Sequence, residues 1–411
     1  MIGTETDNLP VQSSVALEQQ LLLNCAGTAS DPEKVKRIAA LAHECIDWEH
    51  LVGLAVQHRV LPLLFQNLNR ICPDLVPKPI LQRLKEFFSF NVRRTLLLTG
   101  ELINLIGLLR DRGIEAIPFK GPILASYAYN SLALRQFDDI DILVPKKQIL
   151  DACDLLEAKN YRLRNQVSPG KLKQHLRSDW AFTFDRVDHL VTVDLHWAFN
   201  GKGFSFAFEA EGMWKCLVPI AIAGKRVMAL PLEETLLLHC VHGAKHEWER
   251  LEWISALGEM IQAHKTMEWG RLLARAQQLR GERMLLLGLK VVQDLLGTEI
   301  PAALGERIAK DSKLEGLVKQ VRRGLFEPLS PELREAGRYA FHLLMRESWR
   351  DRVRYFSYFT HNKLIPNTQD NEDLRLPAAL NFMHYFSRPF RLLREYRLGP
   401  FAEFLRRMGK Q

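Results

Sequence analysis

The sequence predicts an α+β protein: a small mixed or antiparallel sheet embedded in mostly α-helical N- and C-terminal regions. Three observations carry this. From residue 15 to about 110, apolar side chains recur at helical spacing, as in Val60, Leu61, Leu63, Leu64 and Leu68. Two short runs in the middle, 137–144 and 190–197, alternate polar and apolar residues as half-buried strands do. After Pro231 the helical period returns and persists.

In chain order, Leu81, Leu84, Phe87 and Phe88, then Leu98, Leu102, Leu105 and Leu109, continue the first helical region. Pro73, Pro77 and Pro79 break it into two blocks. The texture changes at Asp111-Arg112-Gly113, where Gly113 suits a helix C-cap. Residues 114–119 read as a short strand, Lys120-Gly121 as a turn, and Pro122 as the first position of a helix over 123–129. Pro145 ends the strand at 137–144. An amphipathic helix over 146–159 follows, with Ile149, Leu150, Cys153 and Leu156 inward. Residues 180–184 and 190–197 read as antiparallel strands joined by Asp185-Arg186-Val187-Asp188. Gly224-Lys225-Arg226 lacks the residues of a phosphate-binding loop and reads as a hairpin turn. Helices are expected over 232–246, 250–265, 268–280 and 283–296. The division this suggests is an N-terminal helical region (1–110), a sheet-bearing domain (111–230), a helical domain packing on it (231–330) and a basic, aromatic helical C-terminal region (331–411).

With 411 residues, 47% of them hydrophobic, the chain has ample material for a core. A formal net charge of +8 permits an anionic substrate without requiring one. Six cysteines without a CxxC pair read as reduced thiols, and no signal peptide or membrane-spanning stretch is visible, so a cytoplasmic protein is expected.

The chemistry lies in the strands. In Asp139-Ile140-Asp141-Ile142-Leu143-Val144, alternation puts both aspartates on one face and Ile140, Ile142 and Val144 on the other. Two neighbouring carboxylates repel unless a cation neutralises them, and Mg²⁺ or Mn²⁺ with oxygen ligands is the natural solution. In the second strand, Val191, Val193, Leu195 and Trp197 form one face, and Thr192, Asp194 and His196 the other. Carboxylates from two adjacent strands can bind two metals that clamp an in-line phosphoryl displacement. Lys120-Gly121 at a strand-to-helix turn offers close backbone approach, a helix N-terminus and a positive charge to a phosphate. An isolated Asp-x-Asp arises often by chance as an exposed strand edge. The composite of Lys-Gly turn, helix, Asp-x-Asp strand and Val-Asp-Leu-His-Trp strand is much less common.

At these residues the chain resembles the DNA polymerase β-like nucleotidyltransferase superfamily, and more closely a bacterial family of uncharacterised nucleotidyltransferases. The matching pieces are Gly113-Ile114 to Phe119-Lys120-Gly121-Pro122, Leu134 to Val144, and Val193-Asp194-Leu195-His196-Trp197. His239, His242-Gly243-Ala244-Lys245-His246 and the closing Arg388-Pro389 also fit, over about residues 50 to 395. The resemblance implies a nucleotidyltransferase core, with Gly121 at the triphosphate, Asp139 and Asp141 holding metals, and Asp194 as a third ligand able to activate the acceptor hydroxyl. It departs from the superfamily turn, Gly followed by Gly or Ser, in having Lys120-Gly121-Pro122. The family's Asp after Leu-x-Trp is absent from Leu251-Glu252-Trp253-Ile254-Ser255-Ala256.

His239, His242 and His246 fall on one helix face, a spacing open to zinc but matching no zinc motif; lining the interface with the sheet is the stronger reading, with His242 touching a nucleotide phosphate. Lys245 reaches an anion or is simply solvated. Arg135 contacts phosphate or pairs with Asp138. The C-terminal block steps Arg388, Arg391, Arg394 and Arg397 along one helix beside an apolar stripe of Phe401, Phe404, Leu405 and Met408. That stripe reads as a docking face on the protein's own body, with membrane-surface or RNA contact as the sharper alternatives. No nucleic-acid-binding motif accompanies it. The expected activity is transfer of a nucleoside monophosphate from an NTP to an acceptor (a small molecule, sugar phosphate, protein or RNA end), against a nucleotide-binding or assembly module without turnover and a helical nucleic-acid-binding protein.

Overall fold

A computed structural model describes residues 16–28, 31–164, 175–176, 179–199, 204, 206, 210–327 and 330–364. The chain opens with α1 (Leu17–Cys25), α2 (Pro32–Ala42), α3 (Trp48–Gln57), α4 (Leu61–Ile71) and the long α5 (Lys78–Asp111). Asp31 and Asp47 cap α2 and α3 by accepting from the Glu33 and His50 amides. Gly113 at φ +70° ends α5, as a left-handed glycine does.

The sheet follows: β1 (Ile117–Phe119), α6 (Gly121–Tyr129), β2 (Asp139–Leu143), α7 (Ile149–Ala158), β3 (Tyr161–Leu163), β4 (Ala181–Arg186) and β5 (Thr192–His196). Its spatial order is β1-β2-β5-β4-β3. All neighbours are antiparallel except β2 and β5, which run parallel with Asp141 opposite Asp194. The sheet is therefore mixed, as expected. A separate hairpin, β6 (Val218–Ile222) and β7 (Lys225–Ala229), turns at Ala223 and Gly224, both at positive φ.

Helices then return as α8 (Leu232–Lys245), α9 (Leu251–Ala263), α10 (Trp269–Gln278), α11 (Glu282–Leu296), α12 (Ala302–Lys310), α13 (Lys313–Phe326), α14 (Pro331–Met345) and α15 (Trp349–Leu364). After α8 the chain doubles back through Glu247 and Trp248, both at φ +54°, and seats the Trp248 ring on Gly243.

Two cores position the site. Leu21, Leu64 and Leu68 from the first helices join Leu236, Trp248, Leu257, Leu287 and Phe341 in one helical core. Below the sheet, Ile140, Ile142, Val193, Leu195 and Phe184 pack against Leu98, Leu102, Leu105 and Leu109 of α5 and Leu156 of α7. Helix α5 thus belongs to both cores, with Ile80 and Leu84 in the first.

Two expectations are corrected. Leu150 is 45% exposed, because the inward face of α7 is Ile149, Ala152, Leu155 and Leu156, and Leu150 lies a hundred degrees round from Ile149. Asp185 and Arg186 belong to β4, whose pairing with β3 extends the strand beyond the expected joint. No described helix is long and apolar enough to cross a membrane. The basic C-terminal stripe from Arg388 lies outside the described residues.

Candidate active site

The polar face of the sheet is built by alternation. Ile140, Val193 and Leu195 are fully buried beneath it. Asp139 and Asp141 of β2 and Thr192, Asp194 and His196 of β5 project on the other side. Asp141 is the hub and is 3% exposed. Its Oδ1 accepts from Lys120 Nζ at 2.7 Å and lies 3.1 Å from His196 Nε2. Because an ionised carboxylate only accepts, that His196 nitrogen carries the proton. Asp194 Oδ1 accepts from Thr183 Oγ1 of β4 at 2.7 Å, so β4 orients the third carboxylate.

Electrostatics separate the two strand aspartates. Burial alone would raise Asp141, but Lys120 and His196 bring it down to about 2. Asp139 lacks such partners; burial, then the neighbouring Asp141, push it up to about 6. Burial opposes the Lys120 ammonium, yet Asp141, Asp139 and Asp194 outweigh it and hold its pKa above the ordinary value. Asp141, Asp194 and His196 each offer a ligand atom within 4.8 Å of the others. Asp139 shares their face but is not one of the three converging donors; with it, three carboxylates and one lysine leave excess negative charge there, which suits a hard divalent cation.

The turn before α6 holds Lys120 at φ 58°, ψ −146°, a region essentially reserved for glycine. Gly121 follows at φ +32°. Strain of order 1–3 kcal/mol at such a residue persists only where surrounding structure over-determines it. Arg135 supplies part of that determination. It is 6% exposed, donates through Nη1 to the Gly121 carbonyl at 3.3 Å, and pairs through Nη2 with Glu252 of α9 at 2.6 Å. The guanidinium therefore grips the turn from beneath, and Asp138 pairs instead with Arg59 at 2.7 Å.

The α8 residues lie over the sheet side of the site. Lys245 Nζ sits 4.6 Å from the Trp180 ring centroid, and burial, then Lys120, draw its pKa down to about 8. His242 stacks edge-on against Trp253 and beside His246, and burial, then Lys120, hold it well below the usual histidine range. His239 has turned away; its Nε2 lies 2.8 Å from the Trp253 carbonyl, so the three histidines do not converge on one point. Glu252, Thr183 and Arg164 were not singled out by the sequence. Arg164, bonded to Asp185 and Thr192, sits within electrostatic reach of Asp194 and Asp139. None of the three carries a local signal, since each is placed by pairing across strands or helices.

Residues 44–297 match the model of a family described as uncharacterised nucleotidyltransferase. The chain belongs to this family. Membership supports nucleotidyl transfer as the class of activity. No curated protein matches the chain. Among solved structures, the chain is similar to ANT(2")-Ia in complex with adenylyl-2"-tobramycin, at 15% identity and TM-score 0.31, covering 44% of this chain and 97% of that one. A solution structure of the antibiotic-resistance factor ANT(2'')-Ia gives 16% identity and TM-score 0.30 over 43% of this chain and 90% of that one. An antigenic nucleotidyltransferase-like protein from Paracoccidioides brasiliensis gives 14% identity and TM-score 0.28 over 51% and 95%.

Proposed function

We propose that this protein transfers a nucleoside monophosphate from an NTP to an acceptor with release of pyrophosphate, using Mg²⁺ or Mn²⁺. The single observation that carries the reading is the register of β2 on β5. It sets Asp141 beside Asp194 on one polar face, with Lys120 of the strained turn bonded to Asp141. Asp139, Asp141 and Asp194 hold the cations, with His196 beside them. When bound, two such ions neutralise the phosphates and polarise the attacking and leaving oxygens.

The chain's own residues supply the rest. Gly121 presents its backbone amide to the triphosphate at the N-terminus of α6, and Lys120 adds its charge. Arg135 acts as a positioning residue through the Gly121 carbonyl. His242 and Lys245 contact the nucleotide from the helical side, so the 231–330 helices close a site whose carboxylates come from 111–230. Thr183 fixes one oxygen of Asp194 and orients the other toward the acceptor hydroxyl, whose proton Asp194 takes. The freed acceptor oxygen bonds to the α-phosphorus as the bond to the pyrophosphate oxygen breaks. Free thiols at all six cysteines suit a cytoplasmic setting.

The test has two arms. Incubating the protein with each α-radiolabelled NTP and Mg²⁺ in cell extract should place label on one acceptor. Asp194→Asn should then lower kcat by about 10²-fold or more while nucleotide affinity changes less. No NTP binding by the wild-type protein at millimolar nucleotide with either metal overturns the reading. Binding without label transfer leaves a nucleotide-binding module.

A further inference from the structure

Arg346, just past the end of α14, is 2% exposed and plays no part in the reaction above. Its main chain is pinned, since its carbonyl accepts from Arg283 Nη1 at 3.2 Å and Arg352 Nε at 3.0 Å. Its side chain is pinned as well. The guanidinium carbon lies 3.8 Å from the Tyr355 ring centroid and 5.4 Å from that of Phe204, and Nη1 donates to the His342 carbonyl. The remaining donors, Nε and Nη2, are both buried without a hydrogen-bond partner among the described residues. These two nitrogens form one edge of the planar guanidinium, and their N–H bonds run parallel. That edge matches two oxygens of a carboxylate or phosphate.

The nearby acids bond to other groups, although the buried Asp351 lies within electrostatic reach of Arg346. Asp351 pairs with Arg280 at 3.4 Å, Glu247 with Arg338 at 2.9 Å, and Glu347 accepts the Arg283 amide at 2.7 Å. Beside Arg346, His342 is 6% exposed with Nδ1 also unpartnered, and its ring lies 5.5 Å from Tyr355 and 6.3 Å from Phe204. Burial draws Arg346 down to about 10, so it remains charged at neutral pH. A buried, charged, fully oriented fork with one whole edge empty is costly unless something anionic completes it. The neighbourhood connects to the site, because His342 is within electrostatic reach of His246 and Lys245, and Lys245 of Lys120.

We propose that Arg346, with His342, Tyr355 and Phe204, forms an oxyanion-binding subsite that takes a carboxylate or phosphate through Nε–H and Nη2–H. The aromatic rings fix the plane of the fork, and the His342 carbonyl holds its Nη1. Which reactant carries the oxyanion, nucleotide or acceptor, rests on the nucleotidyltransferase reading; the presence of the subsite does not.

The experiment follows thermal unfolding of the full chain during titration with inorganic phosphate, at ionic strength held constant with chloride. Wild type should gain stability with phosphate. Arg346→Met should unfold at the same or a higher temperature than wild type in phosphate-free buffer, because a buried unpaired charge is gone, and should lose the phosphate response. Arg346→Lys keeps the charge and bulk but not the fork, and should weaken phosphate binding by about tenfold. A merely structural arginine gives the opposite pattern: Arg346→Met melts lower without phosphate and keeps the wild-type response. That pattern, or a wild-type protein indifferent to phosphate, overturns the proposal. NTP titration of the same variants separates the sources. A parallel loss of NTP affinity assigns the fork to the triphosphate; intact NTP affinity with a lost phosphate response assigns it to the acceptor. If NTP fails to bind at all, the reaction reading falls while the phosphate arm still decides the subsite.

Discussion

The two walls of the site handle buried charge differently. On the sheet side the hub acid is held by bonded partners: Lys120 and His196 keep Asp141 below the ordinary carboxylate range, while Asp139, without such bonds, is pushed up to about 6, and Thr183 bonds one oxygen of Asp194. On the helical side, bases are buried with few partners, and burial itself pulls them toward neutrality: His242, His246, Lys245 and His342 all fall below their ordinary values. The first wall is finished as a protein and still has spare negative charge, which suits cations. The second wall has bases whose charge strengthens when an anion arrives, which suits phosphates. Arg135 and Glu252 join the walls, one from each side, in a pair that is almost wholly buried.

The largest effect should come from dismantling the sheet wall. Asp139→Asn combined with Asp141→Asn is expected to abolish nucleotide-dependent Mg²⁺ uptake in calorimetry. Undiminished uptake would show that the cation binds elsewhere. Next is the joint between the walls. Arg135→Met leaves Glu252 buried without its partner and should cost about 3–5 kcal/mol in denaturant unfolding, with much of it recovered in Arg135→Met/Glu252→Leu. Equal losses in the single and double variants would mean that the pair is not coupled.

The helical wall predicts a pH dependence of defined sign. His239 is 3% exposed, and burial lowers its pKa from 6.5 to about 4. A base with a depressed native pKa stabilises the fold above its unfolded value, and that contribution is lost as pH falls from 6.5 through 4. The loss is up to about 3 kcal/mol. His239→Gln should show a shallower fall in unfolding free energy between pH 7 and 4.5; an unchanged slope would refute the assignment. The smallest effect concerns Lys245, whose ammonium is lost as pH rises through about 8. Nucleotide affinity should drop severalfold, roughly 1 kcal/mol, between pH 7 and 9. Lys245→Met should remove that step, and a step of the same size in the variant would exonerate Lys245.

The sequence makes the sheet wall far more legible than the helical wall. Alternation is a local property, so the shared face of Asp139 and Asp141 and that of Asp194 and His196 can be read from a few residues each. Helical period similarly locates α8 to α11. The strand β3, three residues long with Arg162 exposed, offers too little pattern to find. A Lys-Gly dipeptide suggests that glycine alone takes the left-handed backbone, whereas Lys120 lies further into that region than Gly121. The partner of Arg135 is invisible locally, because Glu252 reaches it only when α9 packs against α6. For the same reason Arg346 carries no sequence signal: its fork is emptied and aimed by Tyr355 and Phe204 on other segments.

The parallel pairing of β2 with β5 also has a consequence for how the chain folds. Asp141 and His196 are 55 residues apart, so pairing β2 with β5 closes a long loop that carries α7, β3 and β4, a non-local contact that is slow to form. A slip of one residue in that pairing would turn Thr192, Asp194 and His196 down into the apolar layer and lift Val193 and Leu195 into water. Burying those polar groups is costly and disfavours the misaligned pairing. The acids of the proposed site would therefore also proofread the strand alignment, and variants that neutralise them should fold with less fidelity.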